Sequence, residues 1–326
     1  MRTRITDLLG IRHPILLAGM AGSTDAALVA AVSRAGGLGI LGVSTYPTAD
    51  LIRAEVAKVR EFTPNPFGIN LLLWGAPEYV EPVLELQPAV LSTAWGDVAP
   101  HVEAAHEAGC LVMHMVQDVP GAEAAAKAGV DLIVAQGQEG GGHVGLLSTF
   151  ALVPQVVDAV GDVPVVASGG IGDGRGLAAA LALGAEAVLI GTRFLATKEA
   201  PIDHSWKLAI LEAGGQETLR TSIPDIANEA AWPEPAAART LRNALVERWL
   251  GRESELRSQA AEAGAKLQEA RRRGDIDEMA LYAGEVVGLI KDLPAAGDLV
   301  ERIVREAEAL LPQLTAKVVG RAAPKA

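Results

Sequence analysis

A chain of 326 residues, half of them hydrophobic and with 35 glycines, is long enough for one barrel-sized core with an appendage. Its formal net charge of -12 argues against a nucleic acid or an anionic membrane surface as the main partner. The single cysteine, Cys110, excludes an intrachain disulfide and a thiolate metal cluster. The sequence has neither a long apolar run nor the apolar region of a signal peptide, so we expect a cytoplasmic protein.

One pattern recurs along the first part of the chain: an alanine-rich helix, a glycine and a short apolar strand. The glycine can adopt the left-handed conformation that ends a helix. Strands that alternate with helices form right-handed βαβ units and a parallel sheet. The predicted strands are 15–18, 38–41, 67–70, 89–91, 111–115, 132–135, 163–167 and 187–190. The predicted helices are 25–35, 49–61, 77–86, 98–108, 120–128, 152–160 and 174–183.

Eight strands over roughly 190 residues predict a (β/α)8 TIM barrel with a C-terminal helical extension. An open doubly wound sheet is the alternative, but its phosphate-binding glycines would follow the first strand, whereas the heaviest glycine loops here follow strands six to eight. The alternation ends near residue 191, so we expect the barrel over residues 1–228. Residues 229–326 should form a helical segment that packs on or over the barrel mouth. The helices predicted there are 239–250, 253–273, 275–291 and 297–311.

Two glycine-rich loops follow the seventh and eighth predicted strands. Ser168, Gly169, Gly170 and Ile171 follow strand seven, and Gly191 with Thr192 follows strand eight. In barrels of this kind, the loops after these two strands often bind phosphate through backbone N–H groups. The glycines could instead serve only as tight turns. Their occurrence at two adjacent strand ends favours a phosphate site.

The run from Gln136 to Gly145 contains three consecutive glycines and one histidine, at the end of the sixth predicted strand. Glycine contributes no side chain to packing, so such a run suits a loop that a ligand approaches closely. His143 can take or give a proton near neutral pH, and we predict that it is the catalytic base. Its alternative role is to hold the loop by hydrogen bonds. The spacing of Gly140, Gly142 and Gly145 also matches a dinucleotide fingerprint, but it follows the sixth strand and not the first.

Only His114, on the fifth predicted strand, competes with His143 as a catalytic residue. The remaining histidines are better explained as structural or solvated; they are His13, His101, His106 and His204. No two histidines have metal-ligand spacing together with a carboxylate, so we expect no metal site.

Several segments together resemble the nitronate monooxygenase family, formerly called the 2-nitropropane dioxygenases. They are residues 14–20, 67–71, 141–143, 167–171 and 191–194, with residues 241–243 and 282–285 in the tail. The likeness covers nearly the whole chain. It extends to relatives of the same fold, the flavin-dependent enoyl-acyl-carrier-protein reductases and the NADH:quinone reductases.

The resemblance implies that the barrel binds FMN non-covalently and that His143 is a base or a substrate contact. The flavin would oxidise an alkyl nitronate, molecular oxygen would react, and a carbonyl compound and nitrite would leave. The residues implied beside the isoalloxazine ring are Gly19, Met20 and Ala21. Those implied for the ribityl phosphate are Gly142, Ser168, Gly169, Gly170, Ile171, Gly191 and Thr192. Asn70, Met115 and Gln136 complete the implied cofactor site.

Two positions depart from the pattern of the family. Many relatives have a polar residue where this chain has Met115, and they often have threonine in the segment of Leu72. The alternative function is therefore an FMN-dependent NAD(P)H reductase that acts on a quinone or an enoyl thioester. A third possibility, a barrel that binds flavin or phosphate without catalysis, is disfavoured by the glycine setting of His143. The expected partners are a small-molecule substrate and oxygen, with NAD(P)H and an oligomer left open.

Overall fold

The computed structural model describes residues 1–319. Its strands are β1 (Ile15–Leu17), β2 (Gly39–Gly42), β3 (Phe67–Leu72), β4 (Val90–Ala94), β5 (Leu111–Val116), β6 (Leu132–Gln136), β7 (Gly142–Val144), β8 (Val165–Ser168), β9 (Ala187–Ile190), β10 (Thr218–Thr221) and β11 (Ala237–Leu241). Eight of them are parallel and form one sheet in the order β1-β9-β8-β6-β5-β4-β3-β2. A bridge between Leu16 and Leu38 joins β1 to β2, the two ends of this sheet. The predicted barrel is therefore confirmed.

The helices surround the barrel and continue beyond it. They are α1 (Arg4–Leu9), α2 (Ala26–Arg34), α3 (Ala49–Phe62), α4 (Val80–Leu84), α5 (Ala99–Glu107), α6 (Val119–Ala128), α7 (Thr149–Val160), α8 (Gly174–Ala182), α9 (Thr192–Leu195), α10 (His204–Glu212), α11 (Ile223–Ala227), α12 (Ala244–Trp249), α13 (Glu253–Ser258), α14 (Ala260–Arg273) and α15 (Ala296–Val319). In the described part of the chain, 3-10 turns occur at Pro77–Tyr79, Gly215–Glu217 and Glu285–Leu289. Within residues 1–319, no helix has the length and apolar character needed to cross a membrane.

Side-chain caps fix two of the loops at the C-terminal ends of the strands. Asp118 accepts a hydrogen bond of 2.8 Å from the backbone N–H of Gly121, at the start of α6. Asp173 accepts hydrogen bonds from the backbone N–H groups of Arg175 and Gly176, at the start of α8. Such caps satisfy N–H groups that have no partner within the helix. The turns after β5 and β8 therefore have a defined shape.

Side chains along the barrel strands point alternately toward the barrel axis and toward the surrounding helices, and they form two separate hydrophobic cores. Val90, Met113 and Val134 belong to the cluster inside the barrel, which α1 closes at the bottom. Their chain neighbours, such as Val112 and Ile133, belong to the cluster between the strands and the helices. Because successive residues of a strand point to opposite faces, the same alternation predicts which side chains face the axis at the upper strand ends. They are Asn70, Leu72, Met115, Gln136 and Ser168, and we call them the mouth layer.

The segment after β9 differs most from the prediction. The prediction of a helix at 239–250 is wrong for its first residues, which belong to strand β11. Within the predicted range, only α12 is helical. The helix predicted at 275–291 is also wrong, because its structured part is the 3-10 turn Glu285–Leu289. The helix predicted at 253–273 is divided into α13 and α14. Strand β11 pairs with both β10 and β7, and hydrogen bonds to these distant strands override the local helical pattern.

Helix α15 returns to the barrel at the end of the chain. Leu299, Val300 and Ile303 are buried in the same core as the helix-facing side chains of the strands. The helix predicted at 297–311 is therefore present and continues to Val319, and residues 320–326 lie outside the described part of the chain. The division of the chain at residue 228 stays a prediction.

Candidate active site

The mouth layer brings together several residues that were predicted to bind the cofactor. Asn70 donates from Nδ2 to the Ser92 hydroxyl at 3.0 Å, and Gln136 accepts from Gln117 at 3.3 Å. The loop after β1 lies directly over this layer, since a Cβ at Gly19 would be 2.4 Å from Cβ of Asn70. On the opposite side, Met20 Sδ lies 3.3 Å from the position of a Cβ at Gly191. Residues from the ends of several strands thus converge on one rim.

Met115 and Leu72, the two positions that depart from the family pattern, both belong to the mouth layer. Met115 is partly buried against the core inside the barrel. Both positions therefore face the barrel axis at the mouth, and both side chains are apolar.

The loops after β8 and β9 offer backbone donors for a phosphate. Gly169 and Gly170 have φ angles of +105° and +72°, a left-handed conformation that glycine adopts without strain. Within residues 1–319, no hydrogen bond uses the backbone N–H of Gly170, Ile171 or Thr192. Free N–H groups at adjacent strand ends are the usual donors to a phosphate in this fold. The residues present therefore fit the phosphate of a flavin mononucleotide.

Thr192 has a second role through its side chain. Its hydroxyl accepts a hydrogen bond of 2.9 Å from the backbone N–H of Gly284. This contact ties the end of β9 to the segment around Tyr282, leaving the Thr192 N–H available at the rim.

The glycine-rich loop between β6 and β7 is held from both sides. Glu139 accepts hydrogen bonds from the backbone N–H and the hydroxyl of Thr149, at 2.9 Å each. The Glu285 N–H donates to the Glu139 carbonyl, and Arg239 Nε donates to the Gln138 carbonyl at 2.7 Å. Burial lowers the pKa of Arg239, although the neighbouring Glu285 carboxylate counteracts this effect. The loop that carries His143 therefore has a fixed position.

His143 forms a close pair with Asp225. It lies in β7, where it is opposite Ala238 of β11, while Asp225 lies in α11. His143 Nε2 donates to Asp225 Oδ1 at 2.7 Å, and their side chains are only 12% and 9% exposed. Because a carboxylate can only accept, this bond places the proton on Nε2 and leaves Nδ1 as the basic nitrogen. A histidine oriented by a carboxylate in this way is a common general base.

Asp225 was not found from the sequence. It is 82 residues from His143 along the chain, in a helix of five residues without a recognisable motif. Only the fold brings the two together. The dyad is therefore the main feature that the structure adds to the prediction.

An aromatic cluster covers the imidazole. The ring of Trp232 stacks on His143 with centroids 3.4 Å apart, and Trp74 stacks on the other side of Trp232 at 4.6 Å. Trp95 meets Trp232 edge-on at 5.9 Å, and Tyr282 is tilted toward His143 at 6.1 Å. The chain has only five tryptophans, and three of them meet here. A cluster of this size excludes water from one face of the imidazole.

Tyr282 contributes a hydroxyl to the same region. Burial, with a smaller contribution from the negative charge of Asp225, raises the pKa of Tyr282 well above its ordinary value. The phenol is therefore neutral at physiological pH and can donate a hydrogen bond. Among the hydrogen bonds within residues 1–319, none involves this hydroxyl.

His114 lies away from this site. It faces the helices, since its neighbours Met113 and Met115 face the axis. Its Nδ1 is 2.8 Å from the Thr93 hydroxyl. Burial lowers the pKa of His114 to about 4, so the ring is neutral. His114 is thus a buried structural residue in the helical layer.

Comparison with known proteins places the chain and its fold in one family. The sequence profile of the family described as nitronate monooxygenase matches residues 2–78 and 74–306. The chain belongs to the nitronate monooxygenase family. A probable nitronate monooxygenase of Staphylococcus saprophyticus is 30% identical, covering 95% of this chain and 99% of that protein. A nitroalkane oxidase of Streptomyces ansochromogenes has a similar structure, with 29% identity, a TM-score of 0.80, and coverage of 96% of this chain and 100% of the other.

Other proteins similar to this chain are not named as nitronate monooxygenases. The "(3aS,4S,5R,7aS)-5-hydroxy-7a-methyl-1-oxo-octahydro-1H-indene-4-carboxyl-CoA dehydrogenase" of Rhodococcus jostii is 35% identical, covering 94% of this chain and 96% of that protein. FabK of Thermotoga maritima superposes with a TM-score of 0.89 at 35% identity, covering 98% of this chain and 100% of FabK. This member of the nitronate monooxygenase family is therefore an oxidoreductase of flavoenzyme type that acts on a small molecule.

Proposed function

We propose that this protein is an FMN-dependent enzyme that oxidises alkyl nitronates with molecular oxygen to a carbonyl compound and nitrite. The observation that carries the proposal is the His143–Asp225 pair beside the mouth layer. A nitronate forms when a neutral nitroalkane loses the proton on the carbon next to its nitro group. A histidine with a buried carboxylate partner is suited to take up or return that proton. The family match and the nitroalkane oxidase neighbour support this substrate class.

The residues present can hold FMN at the barrel mouth. Gly19, Met20 and Ala21 lie over the mouth layer, where they would contact the flavin ring, and Asn70 and Gln136 offer polar groups to it. The free N–H groups after β8 and β9 would bind the phosphate. When bound, FMN supplies the electron acceptor that the side chains of this protein lack. The remaining predicted phosphate ligand, Gly142, lies in β7 opposite Arg239.

His143 would supply the proton chemistry. Nδ1 would take the proton of a neutral nitroalkane, and the protonated ring would then form a hydrogen bond with a nitronate oxygen. Asp225 keeps the ring orientation and stabilises the imidazolium cation. A positioned general base of this kind contributes about 10²–10⁴-fold to a rate.

Trp232 restricts how a substrate reaches this histidine. A ring stacked 3.4 Å from the imidazole leaves no room between them. The substrate would therefore approach the edge of His143 that carries Nδ1. The tryptophan cluster would also exclude water there, which strengthens electrostatic contacts.

A second candidate function is the FMN-dependent reduction of a quinone or an enoyl thioester with NAD(P)H. It is favoured by the 35% identity to both the CoA dehydrogenase and FabK. The apolar Met115 and Leu72 in the mouth layer also depart from the family pattern.

Anaerobic reduction of the FMN-saturated protein separates the two candidates. Ethyl nitronate should bleach the flavin absorbance rapidly, and readmission of air should restore it with release of nitrite. NADH and NADPH should bleach it slowly, with or without an enoyl-CoA. Rapid bleaching by a nicotinamide nucleotide with none by nitronates would reject the proposal and support the second candidate.

A further inference from the structure

Three of the five tryptophans lie outside the hydrophobic cores. Trp206 and Trp249 are buried in two apolar clusters of the segment after β9. Trp74, Trp95 and Trp232 belong to none of the hydrophobic clusters within residues 1–319. They contact one another instead, and one of them covers the imidazole of the proposed base. These three rings therefore do not fill the interior of the fold, and their position over the mouth needs a different explanation.

The stacked rings bridge two separated parts of the barrel rim. Trp74 lies in the loop after β3 and Trp95 directly follows β4, and the Trp74 N–H donates to the Trp95 carbonyl at 2.6 Å. Leu72 of the mouth layer precedes Trp74 by two residues, so their Cα atoms are at most about 7 Å apart. His143 lies in β7, which follows β6, and β4 and β5 separate β6 from β3 in the sheet. The stack of Trp74, Trp232 and His143 therefore crosses the rim beside the mouth layer.

The middle ring of the stack belongs to an exposed segment. Residues 228–236 connect α11 to β11, and Trp232 is the only aromatic residue among them. Its neighbours Ala231, Pro233 and Glu234 are exposed, whereas Trp232 is partly buried. In the described part of the chain, no hydrogen bond or ion pair joins residues 231–234 to another segment. The position of this segment over the mouth therefore depends on the ring contacts of Trp232.

These contacts limit the volume that a substrate can occupy beside the imidazole. The ring of Trp232 fills one face of His143, with centroids 3.4 Å apart and planes inclined by 12°. Trp74 stacks behind it at 4.6 Å, so Trp232 cannot move away from His143 without displacing a second ring. We call Trp74 and Trp232 the aromatic roof. A substrate whose reacting carbon lies at Nδ1 of His143 would extend along this roof, and a bulky group on that carbon would overlap with it.

We propose that Trp232, supported by Trp74, determines the substrate specificity of this enzyme by size. The aromatic roof admits nitronates with a short, unbranched chain and excludes those with a bulky group at the reacting carbon. The inference rests on the proposed function, since it requires that the substrate reacts beside His143. Apolar walls discriminate between substrates by about tenfold or more for small differences in size.

Steady-state oxidation of ethyl nitronate and of the nitronate of nitrocyclohexane by the FMN-saturated protein measures this size limit. In the parent protein, kcat/KM should be at least about tenfold higher for ethyl nitronate. Trp232→Ala should lower this preference about tenfold, because the space over the imidazole becomes open. Trp232→Phe retains a ring and should keep most of the preference. Trp74→Ala removes only the ring behind Trp232 and should have an intermediate effect.

Glu234→Ala is the matched control, because it truncates an exposed side chain of the same segment that makes no ring contact. It should keep the parental ratio of the two kcat/KM values. A ratio between two substrates does not change when part of the protein is unfolded or lacks flavin, so it separates a role in specificity from a merely structural one. Thermal melting establishes that each variant is folded.

Alkylation of His143 tests the aromatic roof without any turnover. Bromoacetamide and N-benzylbromoacetamide carry the same reactive group and differ in size. Mass spectrometry of the peptides compares the modification of His143 with that of His204, an exposed reference in the same protein. Relative to His204, the benzyl reagent should modify His143 of the parent at least about tenfold more slowly than the small reagent. Trp232→Ala should remove this difference, and Glu234→Ala should keep it.

The size limit is rejected if ethyl nitronate is oxidised and Trp232→Ala leaves the ratio of the two substrates unchanged, whatever the reagents do. It is also rejected if Trp232→Ala changes neither the substrate ratio nor the alkylation of His143. If the alkylation of His143 depends on Trp232 but no nitronate is oxidised, the aromatic roof stands and the proposed function fails.

Discussion

His114 and His143 are both largely buried, yet the two regions around them prepare the rings for different tasks. His114 lies between β5 and the helices, with a neutral hydroxyl as its partner, and burial makes its charged form unfavourable. His143 lies in the segment over the mouth, with the Asp225 carboxylate at 2.7 Å. A carboxylate can stabilise the imidazolium form, and a hydroxyl cannot do so comparably. Burial without a charged partner therefore keeps His114 neutral, whereas the carboxylate partner of His143 suits that ring to proton transfer.

The largest expected effect comes from removing the imidazole at the mouth. His143→Ala should retain flavin but lower kcat for oxidation of a neutral nitroalkane about 10³-fold, because the base that takes the proton from its carbon is lost. Steady-state kinetics with the flavin content measured for each preparation checks this. His114→Asn is the control and should keep kcat close to that of the parent. Equal loss in both variants would contradict the distinction between the two histidines.

The neutral state of His114 predicts a pH dependence of stability. The pKa of His114 is lowered from 6.5 to about 4 in the folded protein, so below pH 6.5 the unfolded chain takes up a proton that the folded chain does not. The free energy of unfolding should therefore fall as the pH drops from 6.5 toward 4, by about 3 kcal/mol from this residue. Urea unfolding at several pH values measures the slope.

His114→Asn provides the comparison for that slope. The variant should lose this part of the pH dependence. Burial also lowers the pKa of His13, and the contribution of His13 should remain in both proteins. Parallel slopes for the variant and the parent would show that His114 is not held neutral.

Removing only the charge of Asp225, the partner of His143, should lower kcat less than removing the imidazole. Asp225→Asn keeps the shape of the carboxylate but cannot stabilise the imidazolium cation, so kcat should fall by about 10²-fold. The pH profile of kcat should shift with it, which a purely structural role of Asp225 would not cause. An unchanged profile with a normal melting temperature would remove Asp225 from the mechanism.

A substitution in the glycine loop after β8 should have the smallest of the four effects, a weaker binding of FMN. Gly170→Val should raise the Kd of FMN at least about tenfold, because a side chain in left-handed backbone is strained and intrudes on the N–H groups of the loop. Fluorescence titration with FMN measures the Kd of each variant. Gly161→Val has a similar φ angle of +62°, with no atom within 4 Å of the added Cβ, and should keep the parental affinity. If FMN binds both variants equally, the loop does not bind the phosphate.

The sequence predicted the barrel well because its signals are local. Each strand is a short apolar run, and each glycine loop follows one directly, so His143 and Gly169 could be placed at strand ends without knowing the fold. The local pattern of strand β11 predicts a helix, and its pairing with β7 could not be predicted because it joins segments that are far apart in the chain. Asp225 and Trp232 could not be found for the same reason: neither has a motif, and their meaning comes from contacts with His143.

The pairing of β7 with β11 has a consequence for biosynthesis. The three residues of β7 are made with the barrel, but their partner strand, residues 237–241, emerges from the ribosome only after all eight barrel strands. Because chains fold from the N-terminus during synthesis, the nascent barrel can close before its histidine is anchored. We therefore expect the reactive centre to be the last part of the mouth to become ordered, after the rest of the barrel has already formed.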